Sequence, residues 1–232
     1  MPDTWIKALN AFAYRVNLRD YGKRSRLPGF FEMEISGDRD STIKFEKHYS
    51  ETAPNHLAAF YEVVFWKLYS QGGRSQIGTD RVVEFTESNG VTADQLWTAV
   101  VNFVKHQSLA NLKNIRDLMG YDTNVLAVPL TLPALAHPQT MRMIDKQVAK
   151  WINRNVEVHN RHRTNRMTPF RMNYTSLRQN DFQNYLNWIE WCREVADVLR
   201  KHTGHVWRAR DVEMAVFTAQ RTNRDLHILL EE

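Results

Sequence analysis

Arginine and asparagine side chains alternate between Arg154 and Arg171, a composition that suits contact with a polyanion. Guanidinium groups bind phosphates and amides bind base edges, so this stretch predicts a nucleic-acid interface, which also includes the nearby Lys146. A solvated connector between two helices is the alternative interpretation. A second basic cluster, Lys23 to Arg26, could lie on the same face. The arginines concerned are Arg154, Arg161, Arg163, Arg166 and Arg171, with asparagines at Asn153, Asn155, Asn160, Asn165 and Asn173.

The other residues that could do chemistry have ordinary interpretations. His159 with His162, and His202 with His205, are spaced three apart, but no carboxylate or thiolate completes a ligand set, so surface histidines are expected. Cys192 lies on the apolar stripe of a predicted helix, where a small buried hydrophobic residue is expected. No P-loop, GxGxxG, GxSxG, HExxH or EF-hand motif occurs, and we expect no metal or cofactor.

The composition excludes several classes of protein. The chain has 232 residues, of which 43% are hydrophobic, and a net charge of +5 that is compatible with a polyanionic partner. A single cysteine excludes an internal disulfide, a cysteine-based zinc site and an iron–sulfur cluster. No run approaches the roughly 18 apolar residues of a membrane helix, and the N-terminus lacks a signal-peptide core. We expect an intracellular protein in the cytoplasm, associated with the nucleoid, and no membrane partner.

Apolar periodicity predicts a mainly α fold with one small N-terminal β-hairpin. Residues 30–36 and 42–49 alternate with period two and predict the two strands. A helix is expected over 3–20, with Trp5, Leu9, Phe12 and Val16 on one stripe.

The remaining segments predict further helices, with starts and ends marked by capping residues and glycines. Thr79 could start one helix, and Thr92 with Gln95 has capping-box spacing before another. The three prolines of residues 125–138 predict short helical pieces, and 140–160 predicts one long helix. Helices from about 176 or 181 to Gly204 and over 207–221 complete the array.

The order of segments from Phe60 to Arg154 resembles the helix-hairpin-helix superfamily of base-excision DNA glycosylases, the endonuclease III-like proteins. Gln71 in YSQGG resembles the glutamine that fills the gap left by a flipped base. Lys113 lies in the helix before the hairpin, and Asp145 in MIDKQVAKW resembles the catalytic aspartate. The resemblance implies a multi-helix, glycosylase-like array forming one domain over 1–232. Its two lobes would be residues 55–150, around the hairpin, and residues 1–54 with 151–232.

Two departures from the family pattern concern the hairpin. No glycine lies between Tyr121 and Thr203, although the family's hairpin brings glycine amides close to a DNA phosphate. The hairpin is therefore expected to be degenerate, with the arginines of 154–171 as the DNA anchor. No lysine lies between Tyr121 and Asp145, so a β-lyase reaction through a Schiff base is not expected there.

The resemblance implies a monofunctional glycosylase that acts on double-stranded DNA as a monomer. Cleavage of an N-glycosidic bond builds positive charge on the sugar, which the Asp145 carboxylate would stabilise while orienting or deprotonating the attacking water. The alternative role of Asp145 is to cap the helix that follows it, and the two roles are compatible.

The base-flipping residues implied by the resemblance are Gln71, Tyr69 and Trp66. A glutamine before a Gly-Gly turn is also common in ordinary loops, and aromatic residues at helical spacing are more often core residues. Two other functions stay open: a DNA-binding or structural protein that kept the fold without catalysis, and an unrelated all-helical protein.

Overall fold

A computed structural model describes residues 2–22, 33–121, 126–161, 164–170 and 178–226 of the chain. These residues form twelve α-helices and a two-stranded antiparallel sheet, which confirms the mainly α fold with a small N-terminal β element. The chain divides into two compact units. Unit 1 comprises Met1–Phe12, Asn124–Ala127 and Pro138–Glu232, and unit 2 comprises Ala13–Thr123 and Val128–His137. The predicted lobes have other boundaries and stay a prediction.

The sheet of unit 2 pairs β1 (Val16–Asn17) with β2 (Glu34–Ile35), and Val16 lies opposite Ile35. The predicted partner strand over 42–49 is wrong, because these residues belong to helix α3 (Arg39–Thr52). The α3 side chains Thr42, Phe45, Glu46 and Tyr49 are buried at helical spacing, so burial overrides the period-two alternation. Asp38 caps α3 by accepting a hydrogen bond of 2.7 Å from the Ser41 N–H.

The first predicted helix is also shorter than expected. Helix α1 (Pro2–Asn10) ends before β1, and α2 (Arg19–Gly22) follows the strand. Trp5, Leu9 and Phe12 are buried as the stripe predicts, whereas Val16 is buried in β1.

The centre of unit 2 is α4 (Leu57–Leu68), which is buried on nearly all sides and packs against α5 (Gly73–Ser88). A 3-10 turn, Tyr69–Gln71, joins the two helices. Thr79 does not start a helix: it lies buried inside α5, where its hydroxyl donates to the Ser75 carbonyl at 2.8 Å.

The last three helices of unit 2 follow the sequence signals more closely. Helix α6 (Ala93–Lys105) begins with the predicted capping box of Thr92 and Gln95, and α7 (Leu109–Leu118) packs against α6 and is followed by Gly120 at φ +62°. Helix α8 (Ala127–Ala136) is the exception: the short pieces predicted from the prolines are wrong, because Pro129 lies in the first turn, where no backbone N–H is needed, and one buried helix continues through Pro133. Its first residue belongs to unit 1.

Unit 1 is built around α12 (Ala209–Thr222), which packs against α1, α9 (Lys146–Arg154) and α11 (Gln179–Thr203). Its core is rich in tryptophan: Trp191 contacts the rings of Trp5, Trp151 and Trp188, with ring centroids 5.2–6.3 Å apart. Gly204 ends α11 at φ +67°, as predicted.

The long helix predicted over 140–160 is replaced by two short ones. Residues 137–145 are not helical, α9 begins after Asp145, and α10 (Val156–Asn160) follows a break at Asn155. Met143 and Ile144 are buried as the apolar pattern predicts, but outside a helix.

Candidate functional site at helix α9

Helix α9 separates an apolar face from a polar one. Val148, Ala149, Trp151 and Ile152 are buried against unit 1. The opposite face carries Lys146, Lys150 and Arg154, which are spaced four residues apart and therefore form one row along the helix. With a rise of 1.5 Å per residue, successive members of the row are about 6 Å apart along the axis. No acidic residue lies within α9, so the row is uniformly positive.

Asp145 lies at the N-terminal end of this row as the N-cap of α9. Its Oδ1 atom accepts hydrogen bonds from the backbone N–H groups of Gln147, at 2.8 Å, and Val148, at 2.9 Å. The carboxylate is half-buried, and Oδ2 makes no hydrogen bond to any described residue. The predicted capping role is therefore present, with one carboxylate oxygen fixed and the other available.

Long-range contacts position the segment that leads to Asp145. The Met143 N–H donates to Glu213 Oε2 of α12 at 2.9 Å. From α11, Tyr185 donates its hydroxyl to the Arg142 carbonyl at 2.9 Å, and the Trp188 indole donates to the Met143 carbonyl at 3.3 Å. The backbone two and three residues before Asp145 is thus held from two helices.

Arg142 holds the same segment from inside. Its guanidinium donates to the carbonyls of Pro138 at 2.8 Å and Gln139 at 3.0 Å, and also to that of Met141. The side chain is fully buried, and its Nε makes no hydrogen bond within the described residues. Burial lowers the pKa of Arg142 to about 10. By bonding these carbonyls, Arg142 keeps the segment out of the helix that sequence periodicity predicts.

The sequence analysis did not predict these positioning residues, although the sequence around Arg142 and Glu213 contains a signal for them. Arg142 lies between Met141 and Met143, and Glu213 lies between Val212 and Met214. A lone charged residue flanked by apolar ones in a buried pattern is usually paired or hydrogen-bonded. Glu213 forms an ion pair with Arg210 in addition to its bond with Met143.

The asparagines of the predicted interface bind the protein itself. Asn153 exchanges two hydrogen bonds, each 2.7 Å, with the backbone of Phe170, and Asn160 does the same with Met167. Asn155 donates to the Trp151 carbonyl, and Asn165 donates to Glu190 at 3.3 Å. The amides of Asn153 and Asn160 thus fix the connector after α10 by bonding the protein's own backbone.

The arginines of the same stretch are on the surface wherever the structure describes them. Arg154, Arg161 and Arg166 are exposed, whereas Arg163 and Arg171 lie outside the described residues. Asn173 and the basic cluster from Lys23 to Arg26 also lie outside them. Positive charge is therefore available along α9 and beyond its C-terminal end.

The predicted base-flipping residues belong to unit 2, at the end of α4. Gln71 is exposed and precedes Gly72, which has φ +62°. Tyr69 is half-buried, and its hydroxyl donates to Asp20 at 2.8 Å, which raises the pKa of the phenol. Trp66 is only 3% exposed and packs against Tyr14 and Phe45, so it occupies the core of unit 2. Lys113 is exposed on α7.

The predicted histidine and cysteine assignments are confirmed only in part. Cys192 is buried, as predicted, and His202 and His205 are exposed. The prediction that His159 is a surface residue is wrong. Its side chain is fully buried, and its ring centroid lies 4.4 Å from that of Trp191 and 5.1 Å from that of Trp151. His162 lies outside the described residues. Within the described part of the chain, no group of three His, Cys, Asp or Glu side chains could hold a metal ion.

One further charged pair was not predicted. His48 of α3 bonds through Nε2 to Glu62 Oε2 of α4 at 2.7 Å, and the imidazole stacks near Phe45. The bond to Glu62 raises the pKa of His48, while partial burial opposes that shift. The pair links two helices of unit 2.

Comparison with models of protein families, with curated proteins and with solved structures found no match to this chain. Among the helices of the described residues, none has the length and apolar character required to cross a membrane.

Proposed function

We propose that the chain hydrolyses the N-glycosidic bond of a damaged or modified base in double-stranded DNA, with Asp145 as the catalytic residue. The observation that carries this proposal is the state of the Asp145 carboxylate: Oδ1 is fixed by two backbone N–H groups, and Oδ2 lacks a partner among the described residues. An immobilised carboxylate with one available oxygen can stabilise the positive charge that develops on the sugar.

The same oxygen can orient or deprotonate the attacking water. A general base must lie within hydrogen-bonding distance of the water, and the rigid segment before Asp145 maintains its position without substrate. Met143 is bonded to both α11 and α12, so these two helices position the backbone two residues before Asp145.

The row of Lys146, Lys150 and Arg154 supports DNA as the partner. Three cations about 6 Å apart along one helix can contact successive phosphates of one strand and release counterions. The row begins at the residue after Asp145, so phosphate binding along α9 would bring the sugar of a nearby nucleotide to the carboxylate. The exposed Arg161 and Arg166 could extend this contact.

The proposal is tested with Asp145→Asn and a panel of duplexes that carry uracil, 8-oxoguanine, alkylated purines or mismatches. Asparagine is as good an N-cap as aspartate, so the variant should remain folded and should bind DNA as the wild type does. Base release should fall by at least about a hundred-fold, a typical contribution of a positioned acid or base. Release by the variant at the wild-type rate would refute the role of Asp145, and DNA binding without release of any base by the wild type would refute hydrolysis of these substrates.

The second candidate function is DNA binding without catalysis. It is favoured by the two cap hydrogen bonds of Asp145, which are those of an ordinary N-cap and require no further role. The triple variant K146Q/K150Q/R154Q should reduce the slope of log affinity against log salt by about three under either function. The matched control K44Q/K105Q/K201Q changes the net charge equally at exposed positions on other helices and should leave the slope nearly unchanged.

A further inference from the structure

A cavity of about 250 Å³ lies in unit 1 at the C-terminal ends of α9 and α12. Trp151 and Ala219 contribute buried walls, and the polar groups come from Arg154, Asn155, Gln220, Asn223, Arg224 and Asp225. Two guanidinium groups and three amides therefore surround a space that also contains one carboxylate. The balance of formal charge in the cavity is positive.

The two arginines of the cavity come from different parts of unit 1. Arg154 is the last residue of α9, and its Nη1 lies 3.4 Å from Gln220 Oε1 of α12. Asn223 adopts the left-handed conformation, at φ 50° and ψ 42°, and thereby ends α12 and turns the chain. The Arg224 N–H then bonds to the Ala219 carbonyl at 2.9 Å, which fixes the backbone that carries the second guanidinium.

Both guanidinium groups are available to a ligand. Arg154 and Arg224 are exposed, and neither forms an ion pair with an acidic side chain of the described residues. Arg154 contacts only the neutral Gln220 amide there, at a long distance. Guanidinium groups that converge on one polar cavity match the donor arrangement that binds phosphate oxygens.

The cavity is too far from Asp145 to hold the reacting base. Arg154 lies nine positions after Asp145, which corresponds to about 14 Å along the helix. Since the rise of B-DNA is about 3.4 Å per nucleotide, this distance equals at most about four nucleotides of one strand. The cation row of α9 leads from the residue after Asp145 to Arg154, so we assign a phosphate in the cavity to the strand that this row contacts, a few nucleotides from the reacting one.

We infer that this cavity binds a backbone phosphodiester of the DNA strand whose base is released, with Arg154 and Arg224 as the ligands. The inference rests on the proposed function for the identity of the strand. It assigns a site for the DNA anchor at the end of the cation row of α9, in place of the glycine hairpin that the sequence lacks.

The experiment measures binding of a 20-base-pair duplex with a stable abasic-site analogue at its centre, which marks the reacting position without a base to unstack. In a series of duplexes, one phosphodiester at a time is replaced by a neutral methylphosphonate. One replacement within about four nucleotides of the analogue should lower the wild-type affinity about ten-fold, as expected for loss of a charge-assisted contact.

The variant R154Q/R224Q should bind the unmodified duplex about ten-fold more weakly and should show no further loss with that methylphosphonate, because the two changes remove one contact. The control K44Q/K105Q should retain both the affinity and the methylphosphonate effect. Circular dichroism and thermal unfolding of each variant verify that it is folded.

Four results would overturn the inference. Unchanged affinity of R154Q/R224Q with a lower melting temperature would mean that the arginines only offset the dipoles of the two helix ends. A methylphosphonate effect that persists in the variant would assign the contact elsewhere. If R154Q/R224Q binds normally while Asp145→Asn loses base release, only this inference fails, whereas no DNA binding by the wild type at about 50 mM salt would end both proposals.

Discussion

Glu213 of α12 accepts a hydrogen bond of 2.9 Å from the backbone N–H of Met143, seventy residues earlier in the chain. The same carboxylate oxygen binds Arg210, so one buried acid joins an ion pair to the segment that precedes Asp145. This contact couples the stability of α12 to the position of the proposed catalytic carboxylate.

Replacement of Glu213 should therefore affect both folding and activity. We expect Glu213→Ala to lower the free energy of unfolding by about 3–5 kcal/mol, because it removes the acceptor of a buried N–H and the partner of a buried arginine. Glu213→Gln should cost less, since its amide oxygen can still accept from Met143. Urea unfolding measures both, and the control Glu51→Ala, which breaks an exposed ion pair with Lys47, should cost less than about 1 kcal/mol. A cost for Glu213→Ala equal to that of Glu51→Ala would contradict the anchoring role.

Removal of the Asp145 cap should have a moderate effect on stability and a large one on base release. Asp145→Ala should cost about 1 kcal/mol, the usual value of an N-cap. Ser108→Ala is the matched control, because Ser108 caps α7 through one hydrogen bond to the Asn111 N–H and lies in unit 2. Both variants should lose similar stability in chemical denaturation, but only Asp145→Ala should lose base release. Equal activities of the two variants would leave Asp145 as a cap alone.

The bond between His48 and Glu62 predicts a pH dependence of stability. The pKa of His48 is raised in the folded protein, so the folded state binds the proton more tightly than the unfolded state. The stabilisation is complete below the unfolded value of about 6.5 and is lost as the pH rises through the higher folded pKa. Unfolding at a series of pH values should show the difference between wild type and His48→Asn shrinking over this range, and His205→Asn, at an exposed position, is the control for loss of a histidine. A difference that grows with pH would refute the assignment.

Two glycines with the same backbone conformation should respond differently to alanine. Gly90 and Gly120 both have φ +62°, which costs an L-residue about 1–2 kcal/mol. A Cβ at Gly90 meets no atom within 4 Å, whereas a Cβ at Gly120 would overlap the ring of Phe85. Gly120→Ala should therefore be less stable than Gly90→Ala by a further 1–3 kcal/mol, the usual range for overpacking. Equal melting temperatures would mean that Phe85 moves aside freely.

Local signals in the sequence were reliable where neighbouring residues determine the structure. The capping box of Thr92 and Gln95, the helix ends at Gly120 and Gly204, and the burial of Cys192 are all present as predicted. Each depends on atoms a few residues apart or on a strongly apolar environment along one helix. The mainly α fold follows from the same short-range periodicity.

Sequence patterns were less reliable where contacts between residues distant in sequence determine the local structure. The alternation of residues 42–49 indicates a strand, but only a helix places the buried side chains of α3 on one face. The asparagines from Asn153 onward suggest base-edge contacts. In the structure, Asn153 bonds the backbone seventeen positions away and Asn160 bonds the backbone seven positions away.

By itself, the sequence determined the helical class, the capping box of Thr92 and Gln95, the helix ends at Gly120 and Gly204, and the positive charge near residues 154–171. Only the tertiary structure decided that the chain is not helical before Asp145 and that Arg154 and Arg224 share a cavity. The reason is physical: Arg142, Glu213, Tyr185 and Trp188 act on a backbone that periodicity alone would make helical. The hydrogen bonds of Tyr185, Trp188 and Glu213 join residues 43 to 70 positions apart, so no local pattern encodes them.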